Sequence, residues 1–212
     1  MKRWVLVAFG IVILGAATAP AQNLRCNNWV GGSFGIVKFG DDELDEILGT
    51  GYGFDGIANI NLNKNFDLAL DVGYVWADGE IEDAGVEVDL SGIGGAADLV
   101  YSFKPGEKVN PYLFAGGLVV KSEVEASSGG ETINEDETNA GFSVGGGLEL
   151  VVEPNVLIDL GLDYSKVEEE DGVDGNIGLG CWFNPKVMGG ISGSYDFDDG
   201  DASASLTFIV KL

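Results

Sequence analysis

The chain has 212 residues, 34 glycines, 35 acids against 11 basic residues, and a formal net charge of −24. That length suits one domain. The acidity excludes a nucleic-acid-binding footprint, which needs a basic patch, and excludes attachment to anionic lipid through charge alone.

The N-terminus reads as an export leader. Lys2 and Arg3 form a charged start, Trp4 to Ala17 an apolar stretch, and Ala19-Pro20-Ala21 a small-residue cleavage site before Gln22. The apolar stretch is shorter than the roughly 20 residues of a spanning helix. Residues 1–21 are therefore expected to be a signal peptide and residues 22–212 a single domain. Losing Lys2 and Arg3 takes the charge from −24 to −26. Arg25 precedes Cys26, where a lipoprotein signal would carry a small residue. After export Cys26 and Cys181 meet an oxidising compartment. A bridge between them and a packed Cys181 on an apolar face both stay open.

Beyond the leader, apolar residues recur with period 2, the signature of strands. From Phe66 to Trp76 one face reads Phe66, Leu68, Leu70, Val72, Tyr74, Trp76, and the other Asp67, Ala69, Asp71, Gly73, Val75. The same split predicts ten strands, near 28–39, 51–62, 66–76, 88–103, 111–122, 140–152, 156–165, 176–183, 187–197 and 202–212. No later segment is long and apolar enough for a membrane helix. In lipid every backbone polar group needs a partner, so a spanning chain of this kind must close into a barrel.

The links alternate. Asn63-Lys64-Asn65, Lys104-Pro105-Gly106 to Asn110, Glu153-Pro154-Asn155 and Asn184-Pro185-Lys186 carry turn chemistry. The others are acidic and expected to be mostly longer loops: 41–50, 77–87, 123–139, 166–175, and the tight Asp198-Asp199-Gly200-Asp201 turn. The segment DDELDEIL suggests one helical turn, with Leu44, Ile47 and Leu48 packing on the rim. Arg25, Lys64, Lys104, Lys108, Lys186 and Lys211 gather at the short-turn end. Two aromatic girdles are expected. Trp29, Phe66, Phe103, Tyr112 and Phe183 form one. Phe39, Tyr52, Phe54, Tyr74, Trp76, Phe142, Tyr164, Tyr195 and Phe197 form the other.

The less apolar face is small, with Ala115, Gly117, Ser143, Gly145, Gly147, Gly161, Gly178, Gly180, Ser203 and Ser205. Glycine wastes an exposed strand position but suits a confined interior. The apolar face is therefore read as outward, in an up-and-down antiparallel barrel of about ten strands, with eight as the alternative.

These features resemble the small bacterial outer-membrane β-barrel family, porin-like and of the OmpA transmembrane-domain, OmpX and OmpW type. The resemblance rests on the alternation, the girdles, the turn–loop asymmetry and the final strand, ASLTFIVKL. In that strand Phe208, Val210 and Leu212 share one face. It is similar to the family's assembly signal, which usually ends in an aromatic where this chain has Leu212. The resemblance implies the outer membrane of a Gram-negative bacterium. It also implies contact with membrane lipid and lipopolysaccharide, and handling by periplasmic chaperones and the barrel-assembly machinery.

The chain contains no histidine. A Ser-His-Asp hydrolase has no base here, and two cysteines cannot replace the ligands of a zinc site. No enzyme activity is expected. The lumen is the remaining candidate, and the alternation gives it Asp55, Asp67, Asp71, Asp98, Glu149, Asp159 and Asp163 against Lys121 and the end-lying Lys211. No arginine follows Arg25 to clamp these acids in bidentate pairs. Unpaired carboxylates in a dry interior are costly or neutralised by protonation. Two readings remain. One is a hydrated, cation-favouring passage, because rings of acids attract cations. The other is a non-conducting structural or surface-interaction barrel, its acids bonded to Asn59, Asn61, Ser143 and water. No cofactor is expected, although Asp196, Asp198, Asp199 and Asp201 weakly suggest loop-bound Ca²⁺ or Mg²⁺. That segment lacks the length and terminal Glu of an EF-hand, and Asp-Gly is a common tight turn.

Overall fold

The structure is a computed structural model that describes residues 28–39, 47–81, 85–129, 131–153, 155–168, 170–198 and 200–212. The proposed leader, Cys26, the acids at 41–46 and Asp199 lie outside the described residues.

Ten strands form. β1 (Trp29–Lys38), β2 (Thr50–Asn61), β3 (Phe66–Ile81), β4 (Val86–Ser102) and β5 (Val109–Ser128) make the first half. β6 (Glu131–Glu153), β7 (Val156–Val167), β8 (Glu170–Asn184), β9 (Val187–Asp196) and β10 (Ala202–Lys211) make the second. Each pairs antiparallel with its neighbours in sequence, and β1 pairs with β10, from Trp29 opposite Lys211 to Lys38 opposite Ala202. The sheet thus closes with no free edge along β1 and β10. The count is ten, and the eight-strand alternative is excluded.

The segments expected as acidic loops are mostly not loops. β3 runs on to Ile81, β5 to Ser128, β6 begins at Glu131 and β8 at Glu170. A tilted strand crosses a bilayer in about 9–11 residues. β1, β9 and β10 have 10 residues each, enough to span and little more. β5 has 20 and β6 has 23, about twice that requirement. The surplus forms a sheet of β3 to β6 above the rim. Thr, Val and Ile hold these stretches extended, and cross-strand pairing continues to Ser128 opposite Glu131. Ile47 and Leu48 form a short helical turn, and Leu48 is buried in the upper lumen. Leu44 lies outside the described residues.

Along the barrel wall, below the ribbon, the outward face is apolar. Phe34, Phe54, Val72, Leu113, Leu162, Ile191 and Phe208 are all exposed by half or more. Such a surface belongs in lipid. Toward the ribbon end Tyr52, Phe54, Tyr74 and Trp76 cluster, with ring centroids 5.7–6.3 Å apart. Phe142 meets Tyr164, and Tyr195 meets Phe197. Toward the short turns Tyr101 lies 5.0 Å from both Phe66 and Phe103. Three expected girdle members are inside instead. Trp29, Tyr112 and Phe39 are 0%, 1% and 4% exposed. On β5 the bulky Tyr112, Phe114, Leu118 and Val120 take the inward phase, so size alone misassigns the face. Ala115 and Gly117, read as lumenal, face outward for the same reason. Cys181 is a free thiol on the outward face, in phase with Ile177 and Leu179.

Candidate functional site in the barrel interior

The seven acids assigned to the lumen all lie on the inward face and are at most 9% exposed. Most are held by neutral donors. Ser33 Oγ donates to Asp55 at 2.5 Å and Ser143 Oγ to Asp98 at 3.0 Å. Asn59 and Asn61 both donate to Asp67 Oδ1, at 3.2 and 2.9 Å. Asn110 donates to Glu149 at 3.1 Å, Tyr112 to Asp159 at 2.9 Å and Asn176 to Asp163 at 3.2 Å. Asp71 differs. It is 3% exposed and neither of its carboxylate oxygens has a partner.

Lys121 is not in the lumen. On β5 the inward phase is Tyr112, Phe114, Leu118, Val120 and Ser122, and Lys121 lies on the other side with Val119. It forms a 3.4 Å ion pair with Asp136 on the exposed ribbon. The error follows from the same inverted phase that misplaced Tyr112. Lys211 does face inward, at the short-turn end, where its ammonium sits 4.4 Å above the Trp182 ring.

Apolar side chains fill the interior at two levels. Trp29, Ile57, Ala69, Val100, Tyr112, Phe114, Met188 and Ile209 pack together toward the short turns. Val37, Phe39, Leu48, Val75, Leu90, Leu118 and Val120 pack together toward the ribbon. Asp71 lies between Ala69 and Val75 on β3, and Asp98 between Ala96 and Val100 on β4. Asp71 and Asp98 thus lie between two greasy levels, whereas Asp67 and Glu149 lie on the short-turn side of the lower one.

The glycines of β6 make this packing fit. A Cβ at Gly145 would stand 2.6 Å from the Phe114 ring, and one at Gly147 would strike the Tyr112 hydroxyl and ring. The small face on β6 therefore receives large side chains from β5, rather than lining an open pore.

The weakly proposed cation loop divides. Asp196 and Asp201 are 0% and 4% exposed, whereas Asp198 is exposed. The Asp198 N–H donates to Asp196 Oδ1 at 2.6 Å, and Asp198 Oδ2 accepts from the Val173 N–H at 3.0 Å. Asp196 thus bonds to backbone within the turn, and Asp198 to the backbone of β8. Sequence reasoning counted Asp174 and Asp196 as loop acids and missed that both face inward. The signal was present: Asp174 is in phase with Asn176 and Gly178, and Asp196 with Ser192 and Ser194.

A closed sheet with a lipid-compatible outside and a packed polar inside defines a transmembrane antiparallel β-barrel. A family model described as "Outer membrane protein beta-barrel domain" matches residues 7–208, and the chain belongs to that family. A relative from Rhizobium leguminosarum bv. viciae, described as "22 kDa outer membrane protein", is 29% identical over 172 residues, 74% of this chain and 72% of its own. Two solved structures share the fold at low identity. The translocator domain of the autotransporter NalP from Neisseria meningitidis has a TM-score of 0.54 at 10% identity, covering 98% of this chain and 96% of its own. The transport unit of the autotransporter AIDA-I from Escherichia coli has 0.53 at 11%, covering 100% and 99%.

Proposed function

We propose that this protein is a non-conducting barrel of the Gram-negative outer membrane that holds an acidic β-ribbon above the cell surface. The observation that carries this reading is the pair of apolar clusters in the lumen, one on each side of Asp71 and Asp98. An ion would have to cross both, at a high desolvation cost. The ribbon supplies the second half of the reading. Residues 131–138 are all exposed and include Glu131, Glu135, Asp136 and Glu137. Its partners would carry positive charge, as free cations or as basic surfaces. Outer-membrane lipid and lipopolysaccharide surround the apolar belt on this reading. Periplasmic chaperones and the barrel-assembly machinery deliver the chain, and no enzyme activity is assigned.

A second reading, a cation-favouring passage, draws support from one observation: Asp71 is buried without a hydrogen-bond donor. Planar-bilayer recording of refolded full-length protein separates the two. The expected result is no unitary conductance across a range of voltages and salts. Reproducible steps with a cation-selective reversal potential would overturn the non-conducting reading.

A further inference from the structure

The outward wall over β8, β9, β10 and β1 is not evenly filled. Register sets its outward residues in rows, one above another. One row is Phe34, Leu206, Ile191 and Leu179, large throughout. The next row toward the ribbon is Ile36, Ala204, Gly193 and Ile177, small at its two middle positions. A hollow of about 650 Å³ opens there. Leu206 and Ile191 form its lower ledge, and Ile36 and Ile177 stand at its sides.

The row above is Lys38, Ala202, Tyr195 and Gly175. Ala202 is small, so the hollow continues upward between Lys38 and Tyr195. Ile36 is the register partner of Tyr52, and the Tyr195 and Phe197 rings meet at 5.5 Å. The hollow therefore lies at the ribbon-end aromatic girdle, where hydrocarbon gives way to headgroups. Lys38 is exposed and lies two residues beyond Ile36 on the same face, about 7 Å along the strand. Among the described residues of these four strands it is the only basic side chain at the ribbon end. Asp171 and Asp198 are exposed at that end. An anion approaching this wall is thus steered toward Lys38.

We propose that this hollow holds one molecule of lipopolysaccharide, with an acyl chain over Ala204 and Gly193 and a lipid phosphate on the Lys38 ammonium. The apolar lining gains dispersion contacts that only a chain able to follow its shape can supply. A cation directly above an apolar hollow calls for an amphiphile with a negative head. The site continues the apolar belt, so its occupant comes from the membrane itself. It rests on the outer-membrane reading of the barrel, in which the ribbon end meets the lipopolysaccharide leaflet. It does not depend on whether the lumen conducts.

The test uses full-length protein refolded into vesicles of phosphatidylethanolamine, phosphatidylglycerol and truncated lipopolysaccharide in equal parts. Extraction in mild detergent and native mass spectrometry then read the lipid each chain retains. One lipopolysaccharide per chain is expected. Ala204→Phe, which fills the hollow, and Lys38→Gln, which removes the charge, should each lower the retained fraction at least tenfold. Lys38→Arg should keep it. Val72→Phe, on the exposed belt of β3, should also keep it. Retention of the heat-dependent gel shift of folded barrels shows that each variant is intact. Folded wild-type protein that retains no lipopolysaccharide would overturn the site and leave the outer-membrane reading standing. Equal retention of phosphatidylglycerol, or a second copy of the chain in place of lipid, would overturn it too. So would an intact Ala204→Phe or Lys38→Gln variant that keeps the lipid. Absence of the native protein from the outer-membrane fraction would overturn that reading and the site with it.

Discussion

The Tyr112 hydroxyl on β5 reaches over β6 to donate to Asp159 Oδ1 on β7, at 2.9 Å. It can do so because its register partner is Gly147, where any side chain would occupy the path of the ring. One contact thus ties three strands together across the lumen. Tyr112→Phe should destabilise the barrel by about 1–2 kcal/mol through loss of a buried hydrogen bond to a carboxylate. Gly147→Ala should cost about 1–3 kcal/mol by overpacking. Urea unfolding in lipid vesicles measures both, and unchanged midpoints would show that the ring does not cross β6.

Asp67 and Asp71 lie four residues apart on the same inward face, yet their removal should act in opposite directions. Asp67 accepts from Asn59 and Asn61, whereas Asp71 accepts from nothing. Asp71→Asn should leave stability unchanged or raise it by about 1 kcal/mol, since it removes an unsatisfied buried charge. Asp67→Ala should lower it by about 1–3 kcal/mol, since it removes the acceptor that Asn59 and Asn61 share. The sign difference at neutral pH is the readout.

Lys121 pairs with Asp136 in a largely exposed geometry, with the two side chains 46% and 64% accessible. Pairs of this kind contribute about 0–1 kcal/mol. Lys121→Ala should shift the unfolding midpoint only slightly, and the shift should vanish in high salt. A large, salt-insensitive loss would return Lys121 to the interior.

The two sides of the sheet can be read directly by fluorescence. With Cys26→Ser in the background, bimane on Cys181 should be quenched by brominated acyl chains. Bimane on Asp136→Cys, with Cys181 also replaced by serine, should not be. Quenching of the ribbon label would place β6 against the membrane instead of above it.

Strand number and pairing were legible because lipid enforces a strict alternation. On β3, six outward residues from Phe66 to Trp76 carry the signal without interruption. The phase of β5 was not legible. Tyr112 and Phe114 are as bulky as lipid-facing residues, and only the glycines opposite them on β6 show that they point inward. That is a pairwise property, invisible to a rule applied one strand at a time. Strand ends were missed for a related reason. Acidic residues suggested loops, yet Glu123 and Asp136 are register partners within a ribbon. Backbone pairing there outlasts the membrane that made the pattern readable. The lumenal acids were found because they interrupt small residues at even spacing, whereas Asp174 and Asp196 were hidden among loop acids.

The ribbon has two unlike borders. On the β3 side, Ile47 and Leu48 cover residues 77–81, and Gly79 lets the Ile47 carbonyl approach its backbone. On the β6 side, β7 pairing starts only at Gly141, so among the described residues the backbone of 131–140 has a neighbour on one flank alone. An uncovered strand invites its own kind, and charge is a common deterrent. Here the deterrent is of one sign, with four acids on that bare border. Two molecules meeting border to border would repel before their backbones could join. The bare border thus carries its own barrier against edge-to-edge pairing of like chains.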